Sequence, residues 1–276
     1  MTKADEAALT ENDCLRPAWR VSPRVRALVT TRAGGVSAPP YGRWLEGREA
    51  EGGLNLGLHT GDDPVHVAQN RARLRALAGV RAAWLEQVHG DAIVAAHEVP
   101  LDGPPVRADA SVTTVPGVAC LVMVADCMPV LLCDGEGHAV GAAHAGWRGL
   151  AAGIVEKTAA RVAEQAQCAP QMLHAYLGPA IGPQAFEVGD EVRAAFLAAA
   201  APAEHDATAR AFVARPQAPG KYWADLYALA RVRLARLGVT QIAGGDACTV
   251  TDQERFYSYR RDRVTGRMAA LIWLAD

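Results

Sequence analysis

Cys127 and His144 are the residues of this 276-residue chain whose types and spacing are best suited to chemistry. Each follows a short apolar run, over residues 118–125 for the cysteine and 139–143 for the histidine. Runs of this length that are rich in small and β-branched residues are typical of buried strands. A thiolate and an imidazole at neighbouring strand ends can form a catalytic dyad or supply two of three ligands to zinc. The alternative is a structural role, with Cys127 as a buried thiol and His144 as a histidine of the core.

His89 is the third residue of this kind. It lies in a QVHG turn between apolar runs over residues 83–88 and 93–96, which we expect to pair as antiparallel strands. A lone histidine before a glycine is more often structural, but this one supplies the third ligand that Cys127 and His144 lack. The three residues together are the candidate metal-binding and catalytic trio.

Several further polar residues are candidates for substrate binding. Arg148 lies at the start of a predicted helix, where the macrodipole disfavours a cation unless an anion such as phosphate or a carboxylate is bound. Arg32, in the glycine-rich RAGGVS turn, can present a bidentate donor or simply occupy a tight turn, and Asp109 is either a loop cap or a site carboxylate. With Arg148 as a catalytic candidate, the predicted substrate-binding residues are Arg32, Asn55, Asp109, Asp126 and Arg260.

Alternating strands and helices are needed to position these side chains. A helix is predicted from Pro64 to about Ala78, with an aspartate cap before it and Gly79 ending it. The other predicted helices cover residues 150–166, 189–200 and 223–237, and the predicted strands cover residues 25–31, 118–125, 129–133, 139–143, 172–177, 239–243 and 268–274. Residues 43–53 and 200–220 are expected to be surface loops.

The composition indicates one globular domain over residues 18–276, preceded by a disordered lead-in over residues 1–17. A net charge of −2, with 25 arginines but 3 lysines, argues against nucleic acid as a partner. No apolar run reaches the roughly 20 residues of a membrane helix, and no signal peptide is recognisable. We therefore expect a cytoplasmic monomer or small homo-oligomer that binds no membrane. Its six scattered cysteines do not indicate a disulfide framework.

The sequence lacks the motifs of several large enzyme classes. It contains no Walker A motif, no GxGxxG, no GxSxG, no HExxH and no CxxC. ATPase, Rossmann dehydrogenase, serine hydrolase, zincin and cytidine deaminase functions are therefore excluded.

With these residues placed, the chain resembles the YfiH, or laccase-domain, family over nearly all of residues 25–274. The similar motifs, in order, are TTRAGGVS from Thr30, NLGLHTGD from Asn55, Asn70-Arg71, EQVHG from Glu86, ADASVT from Ala108, VADCMPVLL from Val124, HAGWRG from His144, LGPAIGP from Leu177 and FYSYRRDRVTGR from Phe256. The chain departs from the family where Gln184-Ala185 replaces the usual Cys-Cys.

The resemblance implies an α/β (α+β) single domain with a mixed central sheet flanked by helices, similar to the Cys-His hydrolases. It also implies zinc bound by His89, Cys127 and His144, which would leave a fourth coordination position open, as in catalytic zinc sites. The implied activity is phosphorolysis of adenosine, inosine and methylthioadenosine, with adenosine deamination as a second reaction. Purine nucleoside and phosphate are thus the expected small-molecule partners.

Three alternatives remain open. The family's older description as a copper polyphenol oxidase makes copper the less favoured metal, because none of the eight histidines forms the His-x-His pairs of multicopper sites. Similarity to Cys-His hydrolases suggests an amide hydrolase acting on cell-wall precursors, with Cys127 as nucleophile and His144 as base. A non-catalytic interaction module would leave the polar strand ends without a purpose.

Overall fold

The computed structural model describes residues 8–101 and 103–276. Its strands are β1 (Cys14–Leu15), β2 (Val25–Thr30), β3 (Ala33–Ser37), β4 (Arg43–Leu45), β5 (Arg48–Ala50), β6 (Arg81–Ala83), β7 (Leu85–Glu86), β8 (Ile93–Ala95), β9 (Val106–Arg107), β10 (Ala110–Thr113), β11 (Val118–Val124), β12 (Met128–Asp134), β13 (Val140–Ala145), β14 (Leu173–Leu177), β15 (Glu187–Gly189), β16 (Phe212–Ala214), β17 (Lys221–Ala224), β18 (Gln241–Gly244) and β19 (Met268–Leu274).

The helices lie mainly between and after the central strands. They are α1 (Pro64–Ala78), α2 (Trp147–Ala152), α3 (Ile154–Ala166), α4 (Asp190–Ala198), α5 (His205–Arg210), α6 (Leu226–Ala235) and α7 (Tyr259–Asp262), and 3₁₀ turns cover Glu11–Asp13, Ala96–Glu98, Pro170–Met172 and Pro202–Glu204. In the described part of the chain no helix is long and apolar enough to cross a membrane.

Two mixed sheets form the centre of the molecule. The five-stranded sheet has the order β1-β2-β19-β11-β6, and the six-stranded sheet has the order β18-β14-β12-β13-β10-β8. Most neighbours are antiparallel, but β6 pairs in parallel with β11, β8 with β10, and β14 with β18. The fold class is therefore confirmed as mixed α/β, although two stacked sheets take the place of the expected single central sheet.

The alternation of side chains along β11 shows how the layers pack. Cys120 and Val122 point into a core shared with Leu131 and Val140 of the second sheet, and Leu121, one residue away, joins a second cluster beneath α1. Successive strand residues face opposite sides of a sheet, so a strand buried on both faces reads as a continuous apolar run. With α3 packed on the outer face of the six-stranded sheet, the order of layers is helix, sheet, sheet, helix.

Several local predictions are confirmed. The helix α1 begins at Pro64 after Asp63, whose side chain accepts a hydrogen bond from the Val65 N–H, and ends at Gly79 in the left-handed conformation. The final strand covers Met268–Leu274 as expected. One helix prediction is corrected by the structure. Residues 150–166, predicted as one helix, belong to two, because Gly153 has φ 93° and interrupts the regular backbone.

Other predictions are wrong in instructive ways. The lead-in was expected to be disordered over residues 1–17, but its described part contains the 3₁₀ turn Glu11–Asp13 and strand β1, and Leu9 is buried; residues 1–7 lie outside the described residues. The runs at 83–88 and 93–96 do not pair with each other, since β6 joins β11 and β8 joins β10. Short apolar runs pair according to the whole topology, which a local pattern does not contain.

Candidate metal centre and active-site cavity

The three candidate ligands meet where the chain passes from one central sheet to the other. Cys127 lies in the connection from β11 to β12, and His144 lies in β13 opposite Pro129 of β12. His89 follows β7 in a loop, so three separate chain segments supply the donors. Their ligand atoms all lie within 4.8 Å of one another, and the Cys127 Sγ is 3.6 Å from the His89 Nε2. The trio expected from the sequence is thus assembled in space.

The two loops that carry His89 and Cys127 are fixed by specific hydrogen bonds. The side-chain amide of Gln87 accepts from the N–H of Met123 at 2.7 Å and donates to its C=O at 2.8 Å, which ties the His89 loop to the end of β11. Asp126 accepts from the Thr249 hydroxyl and from the Arg260 N–H, both at 2.6 Å. These contacts hold His89 at φ 60° and Asp126 at φ 89°. Backbone held in such sparsely populated regions is typical of functional loops.

Asp109 connects both histidines. It lies opposite His144 next to the pairing of β10 with β13, and its Oδ1 accepts from the His144 Nδ1 at 2.8 Å. The same carboxylate accepts from the N–H groups of Val88, His89 and Gly90 at 3.2, 2.9 and 2.7 Å. Burial acts to raise the pKa of Asp109, but the hydrogen bonds from His144 and this loop lower it overall. A carboxylate on Nδ1 leaves the His144 Nε2 as the ligand atom, which is the usual arrangement around bound metal ions.

The electrostatics of the trio favour a thiolate. Burial acts to raise the pKa of the Cys127 thiol, but the charge and hydrogen bonds of His144 and His89 outweigh it and lower the pKa to about 6. Burial acts to lower the pKa of His144, yet Cys127 and Asp109 raise it to about 9. The sulfur is therefore available at neutral pH in the form that both metal binding and nucleophilic attack require.

The space beside the donors fits a metal ion. Gly146 lies against them, and a Cβ at this position would be 2.9 Å from the His89 Cδ2 and 3.0 Å from the Cys127 Sγ. A residue without a side chain thus keeps the donors free to converge. Two imidazoles and one thiolate suit zinc, and copper accepts the same nitrogen and sulfur donors. Among the described residues these three form the one group of His, Cys, Asp or Glu side chains close enough to hold a metal.

The donors open into a cavity of about 1730 Å³. Binding sites for small molecules usually measure about 300 to 1,000 Å³, so this cavity has room for more than one small ligand. Three of the residues predicted to act in catalysis or substrate binding line it: Arg148, Asp126 and Arg260. Arg148 is exposed, with its guanidinium 4.4 Å from the centre of the Trp147 ring, and the Arg260 side chain donates to the Glu187 C=O at 3.2 Å.

Two other expected substrate-binding residues lie outside the cavity. Arg32 is fully buried; its Nε and Nη2 donate to the Gly42 C=O at 3.1 and 2.8 Å, and its Nη1 donates to the Gln253 C=O at 3.1 Å. Its guanidinium therefore holds loops together. Asn55 is also fully buried, and its amide bonds Thr60 and Asp62. Asp109 contacts the site only through its hydrogen bonds with His144 and with the loop that carries His89.

Several basic residues to which the sequence reasoning assigned no role also line the cavity, and three of them are His59, Arg71 and Arg267. Each lies in a motif that the sequence already singled out, at NLGLHTGD, Asn70-Arg71 and VTGR respectively. The signal was therefore present. The sequence did not reveal that these separate motifs share one wall.

Fold and site together define a class: an α/β protein with two stacked mixed sheets and a His–Cys–His candidate metal centre on a large cavity. Residues 26–275 match the family model described as multi-copper polyphenol oxidoreductase laccase. A match over this much of the chain shows that the protein belongs to that family.

Curated relatives of this chain carry the name of one enzyme. The chain is 50% identical over 263 residues to the purine nucleoside phosphorylase YfiH of Escherichia coli strain K12, covering 94% of this chain and 97% of that protein. It is 50% identical over 266 residues to a purine nucleoside phosphorylase of Pseudomonas aeruginosa, covering 96% and 100%.

Solved structures agree with the fold. A Neisseria meningitidis protein superimposes with a TM-score of 0.84 at 45% identity, covering 96% of this chain and all of that one. YlmD from Geobacillus stearothermophilus gives 0.81 at 31% identity, covering 96% and 97%.

Proposed function

We propose that this protein is a metal-dependent purine nucleoside phosphorylase with zinc as its metal, acting in the cytoplasm on adenosine, inosine and methylthioadenosine. The observation that carries the proposal is the His89–Cys127–His144 centre, which opens into a cavity large enough for a nucleoside and a phosphate together. The names of relatives that are half identical over nearly the whole chain support the reaction. Adenosine deamination is proposed as a second activity of the same site.

Phosphorolysis exchanges one bond for another. A phosphate oxygen attacks the C1′ of the ribose, the C1′–N9 bond breaks, and the purine leaves with a proton while ribose 1-phosphate forms. A bound zinc would supply Lewis-acid polarisation of an oxygen or nitrogen at the open coordination position. The chain must hold two anionic or polar reactants in register and stabilise the charge that develops between them.

The residues around the centre suit these tasks. Asp109 fixes the ring orientation of His144 and the course of the His89 loop, so the donor atoms do not need to reorganise when a ligand binds. Arginines along the cavity wall, among them Arg148 and Arg260, can bind phosphate oxygens as charge-assisted donors. Tyr259, exposed on the same wall, offers a ring on which a purine can stack.

Incubating the zinc-loaded protein with adenosine, with and without phosphate, tests this function. We expect adenine and ribose 1-phosphate only when phosphate is present, and inosine and ammonia in both samples if deamination also occurs. Cys127→Ala serves as the metal-binding control. No turnover of adenosine, inosine or methylthioadenosine at any phosphate concentration would refute the proposal.

One observation favours a second candidate function, an amide hydrolase. Asp109 accepts a hydrogen bond from the His144 Nδ1, and the Cys127 Sγ lies within 4.8 Å of the ligand nitrogen of His144. This is the order of carboxylate, imidazole and thiol in Cys-His hydrolases. Cleavage of a cell-wall peptide precursor by metal-free protein, together with no purine release, would favour this candidate over the phosphorylase.

Copper-dependent phenol oxidation is the least supported candidate. A multicopper oxidase needs several copper ions held by paired histidines, whereas the described residues provide a single three-ligand group. Copper at several ions per chain, with oxygen consumed during phenol turnover, would favour it.

A further inference from the structure

His59, Arg71 and Arg267 form a basic cluster on the cavity wall, beside the metal donors but separate from them. Arg71 and Arg267 are partly buried and His59 is exposed. The proximity of the three is visible in their electrostatics: partial desolvation of the His59 ring lowers its pKa, and the charges of Arg267 and Arg71 lower it further. Like charges brought together at a partly buried wall are unfavourable unless something compensates them.

One loop builds this cluster. The Leu56 C=O accepts from the Arg71 Nε at 2.9 Å, and the Leu56 N–H donates to the Arg267 C=O at 3.1 Å. Asn55 adds a second tie, because its Oδ1 accepts from the Arg267 N–H at 2.9 Å. A Cβ on Gly57 would be 2.8 Å from the Arg267 Cγ, so this approach requires glycine. The NLGLHTGD motif therefore holds both arginines in addition to supplying His59.

The hydrogen-bond partners of both guanidinium groups are neutral. Arg71 bonds the Leu56 C=O, reaches the Met123 Sδ at 3.9 Å and lies 3.7 Å from the centre of the Trp84 ring. The Nη1 of Arg267 donates to the C=O groups of Thr265 and Gly266 at 3.1 and 3.0 Å. Within residues 8–101 and 103–276 no carboxylate forms a salt bridge with either arginine. Hydrogen-bond donors thus remain available toward the cavity, although burial acts to lower the pKa of Arg267 and the nearby charges of Cys127 and Asp126 act to raise it.

We propose that His59, Arg71 and Arg267 are the oxyanion subsite of this cavity, and that it binds the inorganic phosphate consumed in phosphorolysis. The assignment rests on the proposed function. A tetrahedral dianion accepts hydrogen bonds from planar guanidinium groups on two sides and neutralises the charge they bring together. Arg148, which the sequence predicts as a phosphate-binding residue, lines the same cavity but is exposed and lies on a helix of six residues.

Inorganic phosphate and the phosphate ester of a nucleotide share this chemistry. The two sources are separated by titrating the zinc-loaded protein with inorganic phosphate and, separately, with adenosine 5′-monophosphate, by calorimetry at constant ionic strength. The variants are Arg71→Gln and Arg267→Gln. Arg161→Gln is the control, since Arg161 is an exposed arginine on the helix α3 and is not among the residues that line the cavity.

We expect each cluster variant to weaken the binding of inorganic phosphate by about tenfold or more, as loss of one charge-assisted hydrogen bond implies. The control should stay within about twofold of wild type. Arg71→Lys and Arg267→Lys, which keep the charge but lose the planar fork, should fall between the two. Zinc content and the thermal unfolding midpoint, measured on every sample, identify any variant that has lost its fold.

Trp84 provides an independent signal, because a ligand on the Arg71 guanidinium changes the environment of the stacked indole. We expect phosphate to alter tryptophan fluorescence in the wild type but not in a Trp84→Phe variant. In kinetics, the cluster variants should raise the KM for phosphate more than they lower kcat.

Three outcomes would overturn the proposal, and none depends on turnover. If both glutamine variants bound phosphate with wild-type affinity, the basic cluster would not be the phosphate subsite. If Arg148→Ala were the only variant to lose phosphate binding, the phosphate subsite would lie at α2 and not at the basic cluster. Weakened binding of the nucleotide with unchanged binding of inorganic phosphate would show that the oxyanion belongs to a phosphorylated substrate. Absence of phosphorolysis with phosphate still bound at the cluster would contradict the proposed function and leave the subsite standing.

Discussion

Replacing Asp109 by asparagine should weaken zinc binding although Asp109 is not a ligand. Its Oδ1 accepts from the His144 Nδ1 and the His89 N–H, and its Oδ2 accepts from the N–H groups of Val88 and Gly90. An amide of the same shape must turn its NH₂ toward one of these two pairs of donors. In either orientation, two of the hydrogen-bond donors that faced a carboxylate oxygen face the amide NH₂ instead. Both histidine-bearing segments therefore lose part of their support.

The magnitude follows from the bonds lost. Changing a partner that orients a metal-bound histidine typically costs 10- to 100-fold in metal affinity, or about 1.4 to 2.7 kcal/mol. We therefore expect the zinc Kd of Asp109→Asn to rise by about this factor, measured by competition with a chromophoric chelator at pH 7. Cys127→Ala, which removes a ligand, should lose more.

Asp134→Asn is the matched control for this experiment. Asp134 is also buried and accepts from the N–H groups of Glu136, His138 and Ala139 and from the His138 ring. It lies at the opposite end of β12 from Met128, roughly 20 Å away at the rise of an extended strand. This variant should lose stability but keep the wild-type zinc Kd. An unchanged zinc Kd in Asp109→Asn would refute the reasoning.

Two further predictions use the same measurements. Gly146→Ala should lower zinc content at fixed free zinc, because its Cβ would lie about 3 Å from two donor residues; full wild-type loading would show that the space beside Cys127 is not needed for the ion. The second concerns pH: burial acts to raise the pKa of Asp134, but its hydrogen bonds from Ala139 and His138 lower it overall. Its contribution is therefore present above the unfolded value of about 3.9 and lost as pH falls through the lower folded value. In urea unfolding, Asp134→Asn should be about 1 to 3 kcal/mol less stable than wild type at pH 7 and approach it at low pH, whereas a pH-independent difference would contradict this account.

The metal trio was predictable because its signal is local. Each donor follows or ends an apolar run, and strand ends within one sheet or at a crossover lie near one another. The register that makes Pro129 the neighbour of His144 needed no long-range information beyond the two adjacent strands. The caps of α1 were predictable for the same reason, since capping depends on residues next to the helix end.

The second central sheet and the role of Asp109 were not predictable in this way. The apolar run of β11 shows that both faces of the strand are covered, but a helix layer and a second sheet leave the same pattern. Asp109 meets His144 only because β10 pairs with β13. Arg32 illustrates the converse error: an arginine beside glycines looks available for an anion, whereas here it satisfies loop carbonyls in a fully buried position.

The end of β11 links the metal centre to the basic cluster. The backbone of Met123 is bonded by Gln87, which fixes the His89 loop, while its sulfur lies 3.9 Å from the Arg71 Nη2. A change on either side can therefore move the other by displacing one residue. Because residues in contact through a shared neighbour do not contribute independently, zinc affinity and phosphate affinity must be measured on the same samples. A variant that binds phosphate more weakly but keeps its zinc affinity then acts through the basic cluster. A variant that binds zinc more weakly but keeps its phosphate affinity acts through the metal trio.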